Sequence, residues 1–205
     1  MNSIYKKFGK RTLDLLLALC FLILVSPILL VSIFAVYFSL GRPIFFRQKR
    51  IGIHGKPFTI LKLRTMLKTE ADDGEKIQDS YRLTRTGKIL RSLSLDEIPS
   101  FLNVMSGSMS LVGPRPLLPD YLPLYNERQF RRHNVRPGIT GLAQINGRNS
   151  LDWESKFKWD LQYVESLSFT LDLRIIFKTV RIVLLRRGIF HKDSITMPPF
   201  RGNKS

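Results

Sequence analysis

The sequence predicts an α+β fold that is predominantly helical, with an apolar helical element first and a small β-hairpin directly after it. Three observations lead to this prediction. Residues 15–41 carry no charged side chain, which is typical of a long apolar helix. Residues 44–48 and 58–65 predict two short strands, because they are rich in β-branched and aromatic residues. Several later segments repeat their apolar residues at helical spacing.

The charge of the chain restricts the partners it can have. It contains 33 Lys and Arg against 16 Asp and Glu, a formal net charge of +17 at pH 7. Such an excess favours an anionic partner, and nucleic acid, an acidic membrane surface and nucleotide-sugar phosphates all satisfy it. The single cysteine, Cys20, lies inside the apolar run, so neither a disulfide framework nor a cysteine-based zinc site is expected.

The uncharged run 15–41 is predicted to be a membrane element. At about 1.5 Å per residue, a straight helix of that length exceeds the roughly 30 Å hydrocarbon core of a bilayer. It is also too long for the apolar region of a cleavable signal peptide. Ser26 and Pro27 divide the run into two arms, and each arm is too short to cross a bilayer alone.

Both flanks of this run are basic. The flanking residues are Lys6, Lys7, Lys10 and Arg11 before it, and Arg42, Arg47, Lys49 and Arg50 after it. Because a spanning helix normally has one basic flank, two basic flanks suggest a re-entrant helix-break-helix with both ends in the cytoplasm. The alternative is a spanning helix with a kink at Pro27, which is the commoner arrangement.

The two predicted strands are joined by a turn-like segment, residues 51–56, that contains two glycines. Successive side chains of a strand alternate between its two faces, so Lys62 and Arg64 are expected on the same face. Both could contact phosphate there, or both could simply be solvated.

An adjacent acid pair, Asp96 and Glu97, is the most informative feature of the chain. One carboxylate of such a pair can act as a nucleophile or base while its neighbour holds a divalent cation. Arg115 lies between two prolines and can bind phosphate oxygens with little loss of backbone freedom. Arg91 precedes the pair, at the end of a basic amphipathic helix predicted over residues 83–93.

A structural role for the same residues is the alternative. Ser94 and Glu97 match a capping box, and Asp96 is itself a preferred residue for capping a helix. A capping box at Ser94 would put Pro99 too far inside the helix, whereas a helix that starts at Asp96 places it in the tolerant first turn.

Two further segments carry weaker signals. Residues 136–148 hold three glycines, so their backbone can approach a ligand closely, and they end at Arg148. Residues 171–187 combine apolar side chains with basic residues at helical spacing, which suits a helix lying in a membrane interface. A core helix with a solvated basic stripe is the alternative there.

Two stretches of the chain resemble the bacterial sugar transferase family, and in particular its small monotopic polyprenol-phosphate phosphoglycosyl transferases. They are LSLDEIPSFLNVMSGSMSLVGPRPLLPDYLPLYN and RPGITGLAQINGRN. The resemblance extends from Arg11 to about Arg187, and the chain looks like the minimal form, a catalytic domain with its membrane element. The family's Ser-Pro break is matched by Ser26 and Pro27, which favours the re-entrant path.

The resemblance implies a reaction and a set of roles. A phospho-sugar would pass from a UDP-sugar to polyprenol phosphate, expected to be undecaprenyl phosphate, giving polyprenol-diphosphate-sugar and UMP. Asp96 would attack the sugar-bearing phosphate to form an aspartyl phospho-sugar, and Glu97 would hold Mg²⁺. The expected substrate-binding residues are Lys62, Arg64, Arg91, Arg115 and Arg148, of which Arg64 rests on strand periodicity alone.

The expected organisation follows from this. Residues 1–42 would form the re-entrant membrane hairpin, 43–190 a catalytic domain on the cytoplasmic face of the bacterial inner membrane, and 191–205 a tail. The reaction would be the first membrane step of a surface glycan or glycoprotein pathway, with anionic lipids and downstream glycosyltransferases as partners. The other hypothesis is a non-catalytic membrane-anchored binder of anionic lipid or nucleic acid. No recognised nucleic-acid-binding motif accompanies the charge, so nucleic acid is not expected as a partner.

Overall fold

The computed structural model describes residues 4–67, 79–147, 150–185 and 199–202. The helices are α1 (Lys10–Leu40), α2 (Asp79–Arg82), α3 (Arg85–Ser92), α4 (Ser100–Met105), α5 (Glu127–Phe130), α6 (Leu142–Ile145), α7 (Trp153–Ser166) and α8 (Phe169–Leu184). The strands are β1 (Phe45–Ile51), β2 (Pro57–Leu63), β3 (Ser110–Val112) and β4 (Gly138–Thr140). A π-helical turn, Tyr5–Gly9, leads into α1, and short 3₁₀ turns cover Ile53–Gly55, Leu95–Glu97, Pro119–Leu124 and Arg131–Asn134. The predominantly helical α+β class is confirmed.

Helix α1 is continuous over 31 residues with Pro27 inside it, which corrects the expected helix-break-helix. Proline has no N–H to donate to the carbonyl four residues earlier, which here belongs to Ile23. The Ser26 hydroxyl donates a 2.8 Å hydrogen bond to that same Ile23 oxygen. The serine therefore replaces the bond that the proline removes, and the helix continues. Among the described residues, Tyr5–Leu40 is the one helix long and apolar enough to cross a membrane, and its re-entrant path stays a prediction.

The first half of α1 is fixed to the rest of the protein by polar contacts. The Arg11 guanidinium donates to the main-chain oxygens of Val104, at 2.6 Å, and Met105, at 3.0 Å. The main-chain N–H of Leu111 donates to the carboxylate of Asp14 at 3.0 Å. These bonds hold the beginning of the apolar helix against α4 and β3.

The second half of α1 packs on a different part of the same domain. Val36 is fully buried and forms a small core with Leu63 of β2 and Leu90 of α3. Between these two contact regions most apolar side chains of α1 are exposed, including Leu24 at 78%. Both halves of the helix therefore contact the same domain. The apolar surface between them stays exposed, which is typical of a site that contacts a membrane or another protein.

Strands β1 and β2 form the predicted antiparallel hairpin, with Phe46 opposite Lys62 and Arg50 opposite Phe58. Directly opposite residues of an antiparallel pair share a face, so Phe46, Lys62 and Arg50 lie on one side of this hairpin. Strand β2 ends at Leu63, one residue before Arg64.

The main core lies around the short parallel pair of β3 and β4. It consists of Ala18, Ile60, Val104, Met109, Leu111, Val112, Leu142, Ile145, Tyr163, Leu167 and Ile175. The backbones of Gly113, just after β3, and Gly138, the first residue of β4, touch: a Cβ on Gly138 would lie 2.1 Å from the nitrogen of Gly113. The Gly138 N–H donates to the Pro114 oxygen at 3.0 Å, which fixes the backbone just before Arg115.

The last two helices combine core packing with an exposed face. In α7, Phe157 and Leu161 are buried, as their helical spacing predicts. In α8, Ile175 is fully buried while Phe177 and Leu184 are 70% and 77% exposed. The basic residues of this helix, Arg174, Lys178 and Arg181, are exposed as well. Helix α8 therefore belongs to the core on one side and presents apolar and basic groups on the other.

Candidate active site

Asp96 and Glu97 lie on a 3₁₀ turn between α3 and α4. Ser94, just before the turn, has φ 56° and ψ 21°, a left-handed conformation that costs energy for any residue with a side chain. Ser94 forms no capping hydrogen bond, and α4 begins only at Ser100 with Pro99 as its cap residue. Neither the capping box at Ser94 nor an α-helix that starts at Asp96 is therefore formed.

Glu97 is held by two cations. The Lys62 ammonium lies 2.6 Å and the Arg115 guanidinium 3.1 Å from the same oxygen, Oε1 of Glu97. Burial by itself would raise the pKa of Glu97, but the charges and hydrogen bonds of Lys62 and Arg115 outweigh it and hold that pKa well below its ordinary value. Glu97 is therefore a carboxylate throughout the physiological pH range.

The pKa of Asp96 is shifted in the opposite direction. Burial, followed by the neighbouring negative charge of Glu97, raises the pKa of Asp96 to about 6, against the lowering effect of Lys62, Arg91 and Arg115. Two adjacent carboxylates with pKa values pushed apart are typical of a site where the two groups do different work.

Of the other predicted site residues, the structure brings Arg91 close to the pair. Its Nε donates to the Thr65 hydroxyl at 3.0 Å, and its charge acts on Asp96. Arg148 lies outside the described residues.

Arg64 is not part of this cluster, and its expected contact with phosphate stays a prediction. Its guanidinium donates to the last carbonyls of α1 and the residues after it: Leu40, Gly41 at 2.8 Å and Arg42 at 3.2 Å. The last carbonyls of a helix have no partner inside the helix and carry partial negative charge, so they attract a cation. Arg64 therefore caps the apolar helix α1.

Arg50 belongs to the site and was missed from the sequence. It lines one cleft together with Lys62, Glu97 and Arg115. Its buried Nε has no hydrogen-bond partner among the described residues, while its terminal nitrogens donate to Gln48 Oε1 at 2.5 Å and to the Pro116 oxygen at 3.4 Å. Burial, and then the charge of Arg115, lowers the pKa of Arg50 to about 10. The alternation of side chains along β1 could have found Arg50, but only once the register with β2 was known.

The donor set of the acid pair fits a hard divalent cation held partly by substrate. Among the described residues no group of three or more His, Cys, Asp or Glu side chains converges. Mg²⁺ is commonly bound by one or two carboxylates, with phosphate oxygens and water completing its six ligands. Both contacts of Glu97 to described residues fall on Oε1, which leaves Oε2 for such an ion.

Comparison with known proteins identifies the family. The model of the bacterial sugar transferase family matches residues 5–186. The chain is 52% identical over 194 residues to the uncharacterized sugar transferase EpsL of Bacillus subtilis (strain 168), covering 95% of this chain and 96% of that protein. It is 40% identical over 199 residues to the exopolysaccharide production protein ExoY of Sinorhizobium fredii, covering 89% and 88% of the two chains.

A longer relative carries a specific activity in its name. This is the UDP-glucose:undecaprenyl-phosphate glucose-1-phosphate transferase of Klebsiella pneumoniae, 45% identical over 190 residues. The match covers 88% of this chain but 41% of that protein. A family match over nearly the whole chain, together with relatives of this identity, establishes that the protein belongs to the bacterial sugar transferase family.

Proposed function

We propose that the protein transfers a phospho-sugar from a UDP-sugar to polyprenol phosphate, most simply undecaprenyl phosphate, and releases UMP. The observation that carries this proposal is the acid pair in a cationic cleft, with Glu97 bound by Lys62 and Arg115 beside a less acidic Asp96. A non-catalytic lipid or nucleic-acid binder would not require this arrangement. The names of the longer relatives, which specify undecaprenyl phosphate as acceptor, agree with the proposal.

In the first step Asp96 acts as the nucleophile. At neutral pH a carboxyl group with a pKa of about 6 is mostly ionised. One of its oxygens attacks the sugar-bearing phosphorus of the donor, and the bond from that phosphorus to the bridging oxygen breaks. UMP leaves with the bridging oxygen, and the phospho-sugar remains on Asp96.

In the second step a phosphate oxygen of the lipid attacks the same phosphorus. The bond to Asp96 breaks, the free carboxylate is restored and polyprenol-diphosphate-sugar is formed. One phosphoanhydride is exchanged for another, so the protein has to supply positioning and charge neutralisation rather than energy. Lys62, Arg115 and Arg50 face the cleft and would bind the phosphate oxygens.

Glu97 would bind Mg²⁺ through its second oxygen. When bound, the ion supplies neutralisation of the diphosphate charge. Lys62 and Arg115 fix the orientation of the Glu97 carboxylate. Chelation with EDTA should stop turnover and added Mg²⁺ should restore it, whereas full activity in EDTA would remove this role from Glu97.

The membrane arrangement proposed with this function is monotopic, on the cytoplasmic face of the bacterial inner membrane. It is supported by the two halves of α1, which both pack on one domain, and by its two basic flanks. The exposed apolar and basic groups of α8 would lie at the same interface, in contact with anionic lipid. This arrangement would hold the acid pair near the depth at which a polyprenol presents its phosphate.

The decisive experiment is capture of the covalent intermediate. Protein incubated with a UDP-sugar and Mg²⁺, without lipid acceptor, should gain the mass of one phospho-sugar on the peptide containing Asp96 and release a matching burst of UMP. Asp96→Asn should lose both and slow turnover by at least about three orders of magnitude, roughly 4 kcal/mol of barrier.

The matched control is Asp152→Asn. Asp152 is exposed and caps α7 by accepting a 2.7 Å hydrogen bond from the N–H of Ser155. Asparagine caps helices about as well as aspartate, so this variant should keep full activity. A rapid-quench experiment without adduct or burst, with kinetics that require both substrates bound together, would replace the covalent route by direct transfer.

A further inference from the structure

A second cavity, of ≈ 560 Å³, lies where α1 ends and β1 begins. It is lined by Pro43, Ile44, Phe45, Phe46, Arg47 and Arg64. Its volume falls within the roughly 300–1,000 Å³ of small-molecule sites. Phe45 and Phe46 are 36% and 43% exposed, so an apolar ligand in this cavity would cover aromatic surface that the fold leaves open.

The charged residues of this cavity are both arginines. Arg64 is held by the carbonyls at the end of α1. Arg47 is exposed and forms no hydrogen bond or ion pair with any described residue. The cavity therefore combines an apolar wall with one anchored and one free cation, which suits a ligand with an apolar chain and an anionic head.

The register of the hairpin connects this cavity to the acid pair. Phe46 is directly opposite Lys62, so the two side chains lie next to each other on one face. Lys62 in turn contacts Glu97 at 2.6 Å. An elongated ligand that covers Phe46 has its next contact at Lys62, beside the reacting carboxylates.

We propose that this cavity binds the acceptor, with the first isoprene units of the polyprenol phosphate against Phe45 and Phe46 and the phosphate directed past Lys62 towards Asp96. Arg47 lies opposite Leu61, on the other face of the edge strand β1, and stabilises the anionic head at the strand edge as it enters from the membrane surface. The rest of the chain leaves along the exposed apolar surface of α1. This inference rests on the proposed function, because it assigns one of the two substrates of that reaction.

The test separates the two substrates kinetically, using the full chain in detergent micelles. Phe46→Ala should raise the KM for undecaprenyl phosphate about tenfold, because part of a phenylalanine's burial energy is lost. The KM for the UDP-sugar and the UMP burst without acceptor should stay at wild-type values. Geranyl phosphate, with two isoprene units, should show the same dependence on Phe46, since the cavity holds the units nearest the phosphate.

A matched pair of basic residues supplies the control. Arg47 and Lys49 lie two residues apart on β1 and are both exposed, but only Arg47 lines the cavity. Arg47→Ala should raise the KM for both acceptors, and Lys49→Ala should not. Binding of the two variants to phosphatidylglycerol vesicles should fall equally, because either change removes one surface charge.

Several outcomes would overturn the inference. An unchanged acceptor KM in Phe46→Ala, or equal effects of Arg47→Ala and Lys49→Ala, would mean that the cavity does not hold the acceptor. Competition by phosphatidylglycerol that disappears in Phe46→Ala would assign the cavity to an ordinary phospholipid. A wild-type protein that neither releases UMP nor transfers to lipid would instead reject the proposed function, and this inference with it.

Discussion

The buried guanidinium of Arg132 donates a 2.7 Å hydrogen bond to the main-chain oxygen of Arg115. The same side chain forms two hydrogen bonds, of 2.7 and 3.0 Å, with the carboxylate of Asp160. Arg132 is 2% exposed and Asp160 is 4% exposed. A buried ion pair from a distant part of the chain therefore fixes the backbone of the arginine that contacts Glu97.

The first prediction concerns Arg132→Lys. Lysine keeps the charge opposite Asp160 but lacks the planar fork that reaches Asp160 and the Arg115 oxygen together. Loss of one hydrogen bond from a charged donor, about 1.5–3 kcal/mol, should lower kcat/KM for the UDP-sugar by about ten- to a hundredfold. Steady-state kinetics with thermal unfolding in the same detergent would measure this.

The neighbouring residue provides the control for that prediction. Arg131 pairs with Glu165 at 3.0 Å, and both side chains are more than half exposed. Exposed ion pairs contribute little to folding stability, so Arg131→Lys should leave both the reaction rate and the thermal stability unchanged. Equal losses in the two variants would show that the Arg132 contact has no positioning role.

The second prediction concerns Arg50→Met. The charge of Arg50 is partly buried and its Nε is unsatisfied by described residues. These costs offset its bonds to Gln48 and to the Pro116 oxygen, so this arginine adds little to folding stability. Thermal stability should stay within about 1 kcal/mol or increase, while kcat/KM for the UDP-sugar falls by at least about tenfold. Lys49→Ala, the adjacent exposed residue, should change neither quantity. An Arg50→Met protein with lower thermal stability but wild-type specific activity would make Arg50 a structural residue.

The third prediction concerns the Ser26 bond to Ile23 in α1. Ser26→Ala leaves a carbonyl without a partner in an apolar environment, which should cost about 1–3 kcal/mol of stability. In a Pro27→Ala background the alanine N–H can bond to Ile23 directly, so Ser26→Ala should then cost almost nothing. The four proteins of this double-mutant cycle, unfolded in one detergent, give the coupling energy. Additive effects would mean that the serine does not compensate for the proline.

The same variants test the membrane path. With the native Cys20 replaced by alanine, cysteines at positions 2 and 45 should both be protected from a periplasmic reagent in spheroplasts. Pro27→Ala should shift part of the population to a spanning helix, so that a cysteine at position 2 becomes labelled. Labelling of position 2 but not position 45 in the unmodified helix would exclude the re-entrant path.

Local sequence patterns predicted the parts of this site that depend on local structure. The acid pair, the hairpin with Lys62 and the proline-flanked Arg115 could all be identified from neighbouring residues. Arg50 and Arg132 could not, because their roles depend on a strand register and on contacts with residues 66 and 17 positions away along the chain. The contacts of Arg64 with the end of α1 could not be predicted for a similar reason, since nothing local shows that helix-end carbonyls lie within its reach.

The interruption of the apolar helix was a different kind of error. Proline does remove a hydrogen bond, as expected, but the preceding serine supplies a substitute to the same carbonyl. A Ser-Pro pair therefore contains both the defect and its local compensation. The pair is visible in the sequence, but the prediction of a break considered the proline and not the hydrogen bond that the serine can donate.

The last prediction concerns the pH dependence of stability through His133. This ring is 4% exposed, donates a 3.2 Å hydrogen bond from Nδ1 to the Gly52 oxygen, and faces Tyr125 and Arg132. Burial, and then the charge of Arg132, lowers the pKa of His133 to about 4 from the ordinary 6.5. Between those values the unfolded chain binds a proton that the folded protein does not. The free energy of unfolding should therefore fall as the pH falls, by about 1.4 kcal/mol per unit and about 3 kcal/mol in total from this residue.

The measurement compares wild type with His133→Gln, which cannot titrate, by chemical unfolding in one detergent from pH 8 to pH 4. Other groups titrate in both proteins, so the quantity of interest is the difference between the two curves. This difference should be constant above about pH 7.5, where His133 is neutral in both states, and should change steadily below pH 6.5 in favour of the variant. Parallel curves over the whole range would mean that His133 takes up its proton equally in the folded and unfolded chain, and that its burial costs no stability on acidification.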